Sequence, residues 1–210
     1  MIRVLIADDH AVVRTGFRLL LEEADDIVVV AEAESGEESV RLYAETTPDV
    51  VMLDIAMPGI GGIEAIKKIL AKDKHARILV LSMHEDISHP KRVLKSGALG
   101  YLTKRQAPEV LIETIRKIYN RESLIDPELA QRIAVADASG KSSPIDLLSE
   151  REFNVFEKLA LGKGVNDIAE MLNLSPSTVG THLYNIKQKL DVSNQAEITI
   201  MAVRHGVIDP

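Results

Sequence analysis

Three aspartates stand where strand-like runs end. Ile2-Arg3-Val4-Leu5-Ile6-Ala7 leads directly into Asp8, Asp9 and His10, and Val50-Val51-Met52-Leu53 closes on Asp54 before Ile55-Ala56-Met57-Pro58-Gly59. An apolar run ending in a carboxylate and a Pro-Gly turn reads as a buried parallel strand that delivers one acid to its C-terminal edge. In a parallel α/β sheet these edges align on one side, where ligands bind. Acids gathered there repel one another, and a hard cation such as Mg2+ is what makes the arrangement favourable. With that cation neutralising a phosphoryl group, an Asp carboxylate can attack it. Two further residues end strand-like runs. Ser82 follows Ile78-Leu79-Val80-Leu81 and can donate a hydroxyl to phosphoryl oxygens; Lys104 follows Gly100-Tyr101-Leu102-Thr103 and can aim an ammonium at them. Taken singly, an Asp after a strand is usually a turn or cap residue, and a lone Lys or Ser in a loop is usually just solvated. The conjunction at the ends of several different runs is what favours chemistry.

The elements that must position these residues follow from periodicity. Strand-like runs lie near 2–7, 27–33, 49–53, 77–82 and 99–102, and amphipathic stretches near 10–24, 36–46, 61–72, 85–96 and 107–120. Such alternation predicts a doubly wound five-stranded parallel sheet with helices on both faces. Ser35 with Glu38 three residues later predicts a capping box at the second helix. His89-Pro90 disfavours helix at residue 89 and predicts a loose or short helix there. His84 and His89 suggest a metal or pH sensor, but solvated loop histidines are the plainer expectation. Pro127 and Pro144 bracket a short helix near 127–136, and Asp137 through Ser143 is small and polar, as in an exposed linker. Beyond it only helical periods remain, near 149–161, 165–172, 176–190 and 194–205. The expected organisation is therefore an α/β domain over 1–120, a linker with a short helix over 121–145, and a small all-α domain over 146–210.

Bulk composition narrows the classes. At 210 residues the chain is long enough for two small domains. There is no cysteine, which removes disulfides and thiolate metal sites, and a cytoplasmic location is expected. No run reaches membrane-span length, and no cationic segment leads a long apolar stretch, so neither a membrane partner nor a signal peptide is expected. The net charge of −7 argues against a surface that binds nucleic acid throughout. Trp is absent and aromatics are scarce, which disfavours base-stacking platforms.

Asp8-Asp9-His10, Asp54 with Met57-Pro58-Gly59, Ser82, Tyr101 and Lys104 resemble, in order and spacing, the receiver domain of two-component response regulators. The resemblance covers about residues 1–120. It implies a flavodoxin-like fold with strand order 2-1-3-4-5. It implies that Asp54 accepts a phosphoryl group from a sensor histidine kinase, and that Asp8, Asp9, Asp54 and the Ala56 carbonyl hold Mg2+. Ser82 and Tyr101 take the places of the switch hydroxyl and switch aromatic, a two-state element biased by a local charge change.

In the helical part, Ile168, Ala169, Leu172 and Leu174 form one apolar set, and Ser175-Pro176 restarts a helix with a cap residue and a proline at its first position. Val179, Leu183, Ile186 and Leu190 then share one face. Two short helices around a tight turn make a helix-turn-helix whose second helix can enter the major groove. Its N-terminus offers N–H groups and the hydroxyls of Ser175, Ser177 and Thr178 to phosphates. Residues 146–210 carry six basic and nine acidic side chains, yet 175–190 holds Lys187, Lys189 and no acid. That local stripe predicts modest, salt-sensitive DNA affinity, with dimerisation needed to double the contacts.

Leu148 through Glu152, Gly162-Lys163-Gly164, Leu174 through Val179, His182 and Ile186 through Leu190 resemble the LuxR-type helix-turn-helix. Together with the receiver this resembles the NarL/FixJ family and, within it, the GacA/UvrY group. The family often carries Lys or Arg where this chain has Ser177, Gly180, Thr181 and Tyr184. Base readout is then expected from Thr181 and Tyr184, phosphate contact from His182 or Lys187, and close backbone approach at Gly180. The resemblance implies a homodimer when phosphorylated, on double-stranded DNA with inverted-repeat sites. Ile198, Met201 and Ala202 of the last helix are the expected dimer surface. One alternative is a phospho-regulated protein-interaction module without specific DNA binding. An Asp54-based phosphatase is disfavoured, because Ala56 stands where its general acid belongs.

Overall fold

The computed structural model describes residues 1–83, 88–105, 107–125, 130–131, 133–135 and 143–208; the side chains of 88 and 107–109 are left aside. His84, half of the expected short helix near 127–136 and the polar stretch 137–142 lie outside the described residues, while 130–131 and 133–135 are helical. The chain divides into two compact units, one built mainly on residues 1–130 and the other on 131–210.

The first unit is a five-stranded parallel sheet of order β2-β1-β3-β4-β5, with β1 Ile2–Ala7, β2 Ile27–Ala33, β3 Val50–Asp54, β4 Ile78–Ser82 and β5 Gly100–Thr103. The helices are α1 Ala11–Glu22, α2 Gly36–Thr46, α3 Gly62–Lys72, α4 Ser88–Lys95 and α5 Ala107–Tyr119. The alternation of side chains along β3 sorts the two layers. Val51 and Leu53 face Ile63, Ile66 and Ile69 of α3 and Val93 of α4, whereas Val50 and Met52 face Phe17 and Leu21 of α1 and Leu111, Ile115 and Ile118 of α5. With both faces covered, the central strands are apolar throughout, which is why they read as unbroken hydrophobic runs.

Local signals behave largely as expected, with two changes. The Ser35 hydroxyl caps α2 by accepting from Glu38 N at 3.2 Å. The Glu38 carboxylate reaches past the cap residue and accepts from Glu34 N at 2.9 Å. α4 is a regular helix from Ser88, because Pro90 falls in its first turn, where a missing N–H loses no intrahelical bond. His89 is inside that helix, so the expectation of a loop at this position is corrected. After α5 the chain stays on the sheet: Leu124 bridges Gly100, and Tyr101 N donates to its carbonyl at 3.1 Å.

The second unit opens with a 3-10 turn, Pro144–Leu147, followed by α6 Glu150–Ala160, α7 Val165–Met171, α8 Pro176–Leu190 and α9 Gln195–Arg204. Phe153, Phe156, Ile168, Val179, Ile186, Leu190, Ile198 and Ala202 fill its core. This corrects the expected dimer surface. Ile198 and Ala202 are fully buried inside the unit, Met201 packs against the same core, and Ile200 is the exposed large apolar residue of α9. α9 faces inward because it is laid against α6: Thr199 Oγ1 donates to the Ala160 carbonyl at 3.2 Å, and the Gln195 amide to that of Leu159. Among the described residues, no helix is long and apolar enough to cross a membrane.

Candidate phosphoacceptor pocket and helix-turn-helix

The strand ends bring the expected residues together. Asp54 is the last residue of β3 and is 3 % exposed. Lys104, one residue past β5, sets its ammonium 2.8 Å from Asp54 Oδ2 and 2.7 Å from Asp8 Oδ2. Its backbone is held by Lys104 N donating to the Ser82 carbonyl at 2.8 Å, which locks the β5 exit onto the end of β4. Ser82 itself is fully buried. Ala56 N donates to Asp54 Oδ1 at 3.2 Å, so the loop after β3 folds back on the acid it follows. Ligand atoms of Asp8, Asp9, His10 and Asp54 lie within 4.8 Å of one another. Tyr101 is turned inward in the sheet core.

Electrostatics explain why a cation belongs here. Burial pushes the Asp54 carboxyl above the ordinary carboxylate value and the neighbouring Asp8 adds to this, while Lys104 pulls against both. Burial lowers the Lys104 ammonium, but Asp54 and Asp8 outweigh it and hold it above its ordinary value. One ammonium thus faces two buried carboxylates and leaves a negative excess, the condition under which oxygen donors take up a hard divalent ion.

Two residues given no role by the sequence, His10 and Gly62, belong to the pocket. His10 places Nδ1 2.8 Å from Asp9 Oδ1 and 3.4 Å from Asp8 Oδ1, and its position beside the paired acids is the signal that could have included it. Gly62 opens α3 directly beneath the site. A Cβ there would lie 2.3 Å from the Asp54 carbonyl and 2.7 Å from Ile55 Cα. Gly62 N donates to the Ile55 carbonyl at 3.0 Å, so the close approach is the means by which α3 holds the end of β3.

In the second unit, α7 and α8 form the expected pair. Ser175 Oγ accepts from Thr178 N at 3.1 Å and is also 2.8 Å from the hydroxyls of Ser177 and Thr178, so the hydroxyls expected to meet phosphates largely organise the cap. Ser177, Thr181, Tyr184 and Gln188 form an exposed stripe at helical spacing. Tyr184 is 64 % exposed, unusual for an aromatic in so aromatic-poor a chain. Thr181 Oγ1 bonds back to the Ser177 carbonyl at 3.1 Å. Gly180 has open space where a Cβ would stand. Gln188 extends this stripe by one turn, a position that carries no charge or motif to mark it in the sequence.

Three basic candidates behave differently from expectation. Lys189 Nζ lies 2.6 Å from Glu152 Oε2, and Lys187 Nζ donates to the Ser193 carbonyl at 2.8 Å. The positive stripe is thus engaged within the unit. Both ring nitrogens of His182 are shielded, with no hydrogen-bond partner among the described residues, and burial lowers its pKa. A phosphate contact by this ring is incompatible with that conformation, because α8 turns residue 182 toward the unit.

Residues 4–116 match the family model described as the response regulator receiver domain, and residues 146–202 that of the bacterial regulatory proteins of the luxR family. Response regulator GacA of Pseudomonas viridiflava is 40% identical over 211 residues, covering 100% of this chain and 99% of its own. Response regulator UvrY of Escherichia coli K12 is 40% identical over 209 residues, covering 99% and 96%. Among solved structures, a two-component response regulator of the LuxR family from Aurantimonas sp. SI85-9A1 matches with a TM-score of 0.61 at 41% identity, over 65% of this chain and 97% of that one. RcsB from Salmonella enterica serovar Typhimurium, bound to promoter rprA in the presence of phosphomimetic BeF3-, matches with a TM-score of 0.65 at 27% identity, over 95% and 97%. With a parallel-sheet receiver bearing an acidic pocket, a separate helix-turn-helix unit, and full-length likeness to such regulators, the chain belongs to the NarL/FixJ family of two-component response regulators, transcription regulators with a LuxR-type DNA-binding domain.

Proposed function

We propose that Asp54 is the phosphoacceptor of a DNA-binding switch, charged by a sensor histidine kinase. The observation that carries this reading is the Lys104 ammonium bridging Asp8 and Asp54 in a buried pocket. An Asp54 carboxylate oxygen attacks phosphorus, the new O–P bond forms as the N–P bond of the donor histidine breaks, and the imidazole leaves. Asp8, Asp9, Asp54 and the Ala56 carbonyl are the groups to hold Mg2+, with His10 beside them; clustered oxygen donors suit that ion. Bound there, Mg2+ supplies positive charge to the transferring phosphoryl oxygens. Lys104 pairs with the phosphoryl group once it replaces the bare carboxylate, and the Ser82 hydroxyl is the donor that follows it. Tyr101, buried in the sheet core, is the aromatic proposed to change with it. The bistable element is then β4–β5 with its flanking helices.

The output is binding to double-stranded DNA as a phosphorylation-promoted homodimer on inverted repeats, in the cytoplasm. The exposed Tyr184, with Thr181, Ser177 and Gly180, is the proposed reading face, and Thr178 and Ser175 present the helix N-terminus to the phosphate backbone. RcsB on promoter DNA, similar over nearly the whole chain, supports this assignment. The test is intact mass after acetyl phosphate and Mg2+. One phosphoryl adduct is expected in the wild type and none in Asp54→Asn, with mass and DNA affinity rising together in the wild type. An unmodified wild type that also takes up no beryllofluoride overturns the proposal.

A further inference from the structure

Asp8 leaves the sheet: Ala7 is the last residue of β1 paired with β2, and Asp8 N donates to the Ala33 carbonyl at 3.0 Å. The Asp8 carbonyl beyond it is buried and has no strand partner, and such a group needs a donor. The donor comes from the first turn of α1. Arg14 is 8 % exposed, and its Nη1 donates to the Asp8 carbonyl at 2.7 Å. The other edges of the guanidinium are fixed at the end of the neighbouring strand β2 and the residue after it: Nε to Glu32 Oε2 at 3.0 Å and Nη2 to Glu34 Oε1 at 2.6 Å. A planar fork with rigid donors is suited to this three-point clamp, and a lysine is not. Arg18 also pairs with Glu32, at 2.8 Å, but that contact does not involve Asp8.

We propose that Arg14 is a positioning residue for the cation site, holding Asp8 by its main chain so that its carboxylate stays aimed at the pocket. The inference rests on the phosphoacceptor reading of that pocket. Arg14 touches no reacting atom, and its effect passes through the geometry of Asp8. Partners that orient a metal ligand contribute heavily to affinity for the ion without contacting it.

The experiment uses the full chain with Mg2+ and acetyl phosphate. Phosphorylation rate is measured against Mg2+ concentration for wild type, Arg14→Gln, Arg14→Lys, Glu34→Gln and Arg18→Gln, with calorimetric Mg2+ titration of each unphosphorylated protein. In Arg14→Gln the Mg2+ needed for half-maximal rate is expected to rise about tenfold, while the rate at saturating Mg2+ is retained. Arg14→Lys falls between, and Arg18→Gln matches wild type. Should Arg14→Gln fail to give a folded circular-dichroism spectrum, Glu34→Gln decides, because that carboxylate is exposed and its loss loosens the clamp without stranding a buried cation. A rise in the half-saturating Mg2+ concentration in Glu34→Gln supports the clamp. Wild-type Mg2+ dependence in the folded variants overturns it, as does a rate lost at every Mg2+ concentration with unchanged half-saturation, which is the mark of a merely structural role. Calorimetry separates the two readings: normal Mg2+ uptake without phosphorylation in the wild type sinks the phosphoacceptor assignment and leaves the clamp to be judged on affinity alone.

Discussion

Replacing Gly62 by alanine should impair phosphorylation more than it impairs folding. The added Cβ would stand 2.3 Å from the Asp54 carbonyl oxygen, 2.7 Å from Ile55 Cα and 2.8 Å from a Leu53 methyl. The first two are backbone atoms at the end of β3, and neither can swing aside as a side-chain tip does. Restoring an ordinary contact distance needs about 1 Å of separation between α3 and β3, and overpacking of this kind costs about 1–3 kcal/mol. The same displacement carries Asp54 away from the Lys104 ammonium, which stands 2.8 Å from it and 2.7 Å from Asp8. A misplacement of about 1 Å at a reacting group costs on the order of 100-fold in rate. Urea unfolding reports the first quantity, and initial phosphorylation by acetyl phosphate at saturating Mg2+, followed by intact mass, reports the second. A Gly62→Ala protein phosphorylated at the wild-type rate would refute the reasoning, because it would show that the end of β3 is not set by the approach of α3.

Gly180→Ala should behave in the opposite way. With open space at its Cβ position, alanine should stabilise α8 by about 1 kcal/mol, raising the unfolding temperature of the helical unit by about 4–8 °C, while DNA affinity falls; unchanged affinity would remove close backbone approach as the purpose of this glycine. Lys104→Gln leaves Asp8 and Asp54 facing each other without a cation, a loss of about 3–5 kcal/mol for a broken buried pair; Mg2+ should restore more stability to this variant than to wild type in urea, and equal gains would speak against a shared site. Burial raises the pKa of Glu152, but Lys189 and the Ser149 cap outweigh it, so it lies below its ordinary 4.5. A depressed acid contributes stability above its unfolded value and loses it as pH falls through the folded one. Glu152→Gln should therefore be less stable than wild type at pH 7, with the gap closing below pH about 4.5; a gap constant over that window would mean that the pair contributes no charge-dependent stability.

Much of the fold was legible because each signal was local. Strand and helix periods alternate without ambiguity, and the reactive acids follow the strands that carry them, so Asp8, Asp9, Asp54, Ser82 and Lys104 could be gathered from topology alone. What escaped depends on partners far along the chain. Arg14 reads as one more polar residue on an amphipathic helix, and its burial is decided by Glu32 of β2 and Glu34 just beyond that strand. Lys189 reads as a DNA-facing charge until Glu152 is seen beside it. Ile198 and Ala202 make a plausible external face until α6 is laid against them. Gly62 carries no sequence signal beyond its neighbours, since its role is a distance.

The ties made by Lys187 and Lys189 have a thermodynamic consequence for DNA binding. Each cation delivered to a phosphate releases condensed counterions, and the logarithm of affinity then falls with the logarithm of salt by about 0.9 per contact. Lys189, already paired with the Glu152 carboxylate, brings no net charge, and Lys187, tied to the Ser193 carbonyl, keeps its charge but must break that bond to reach a phosphate. The α8 helix should therefore bind with a shallow ionic-strength slope, leaving discrimination among sites to hydrogen bonding and to the pairing of two chains. A regulator built this way would hold its operator preference steady through swings in internal salt that would loosen a strongly basic one.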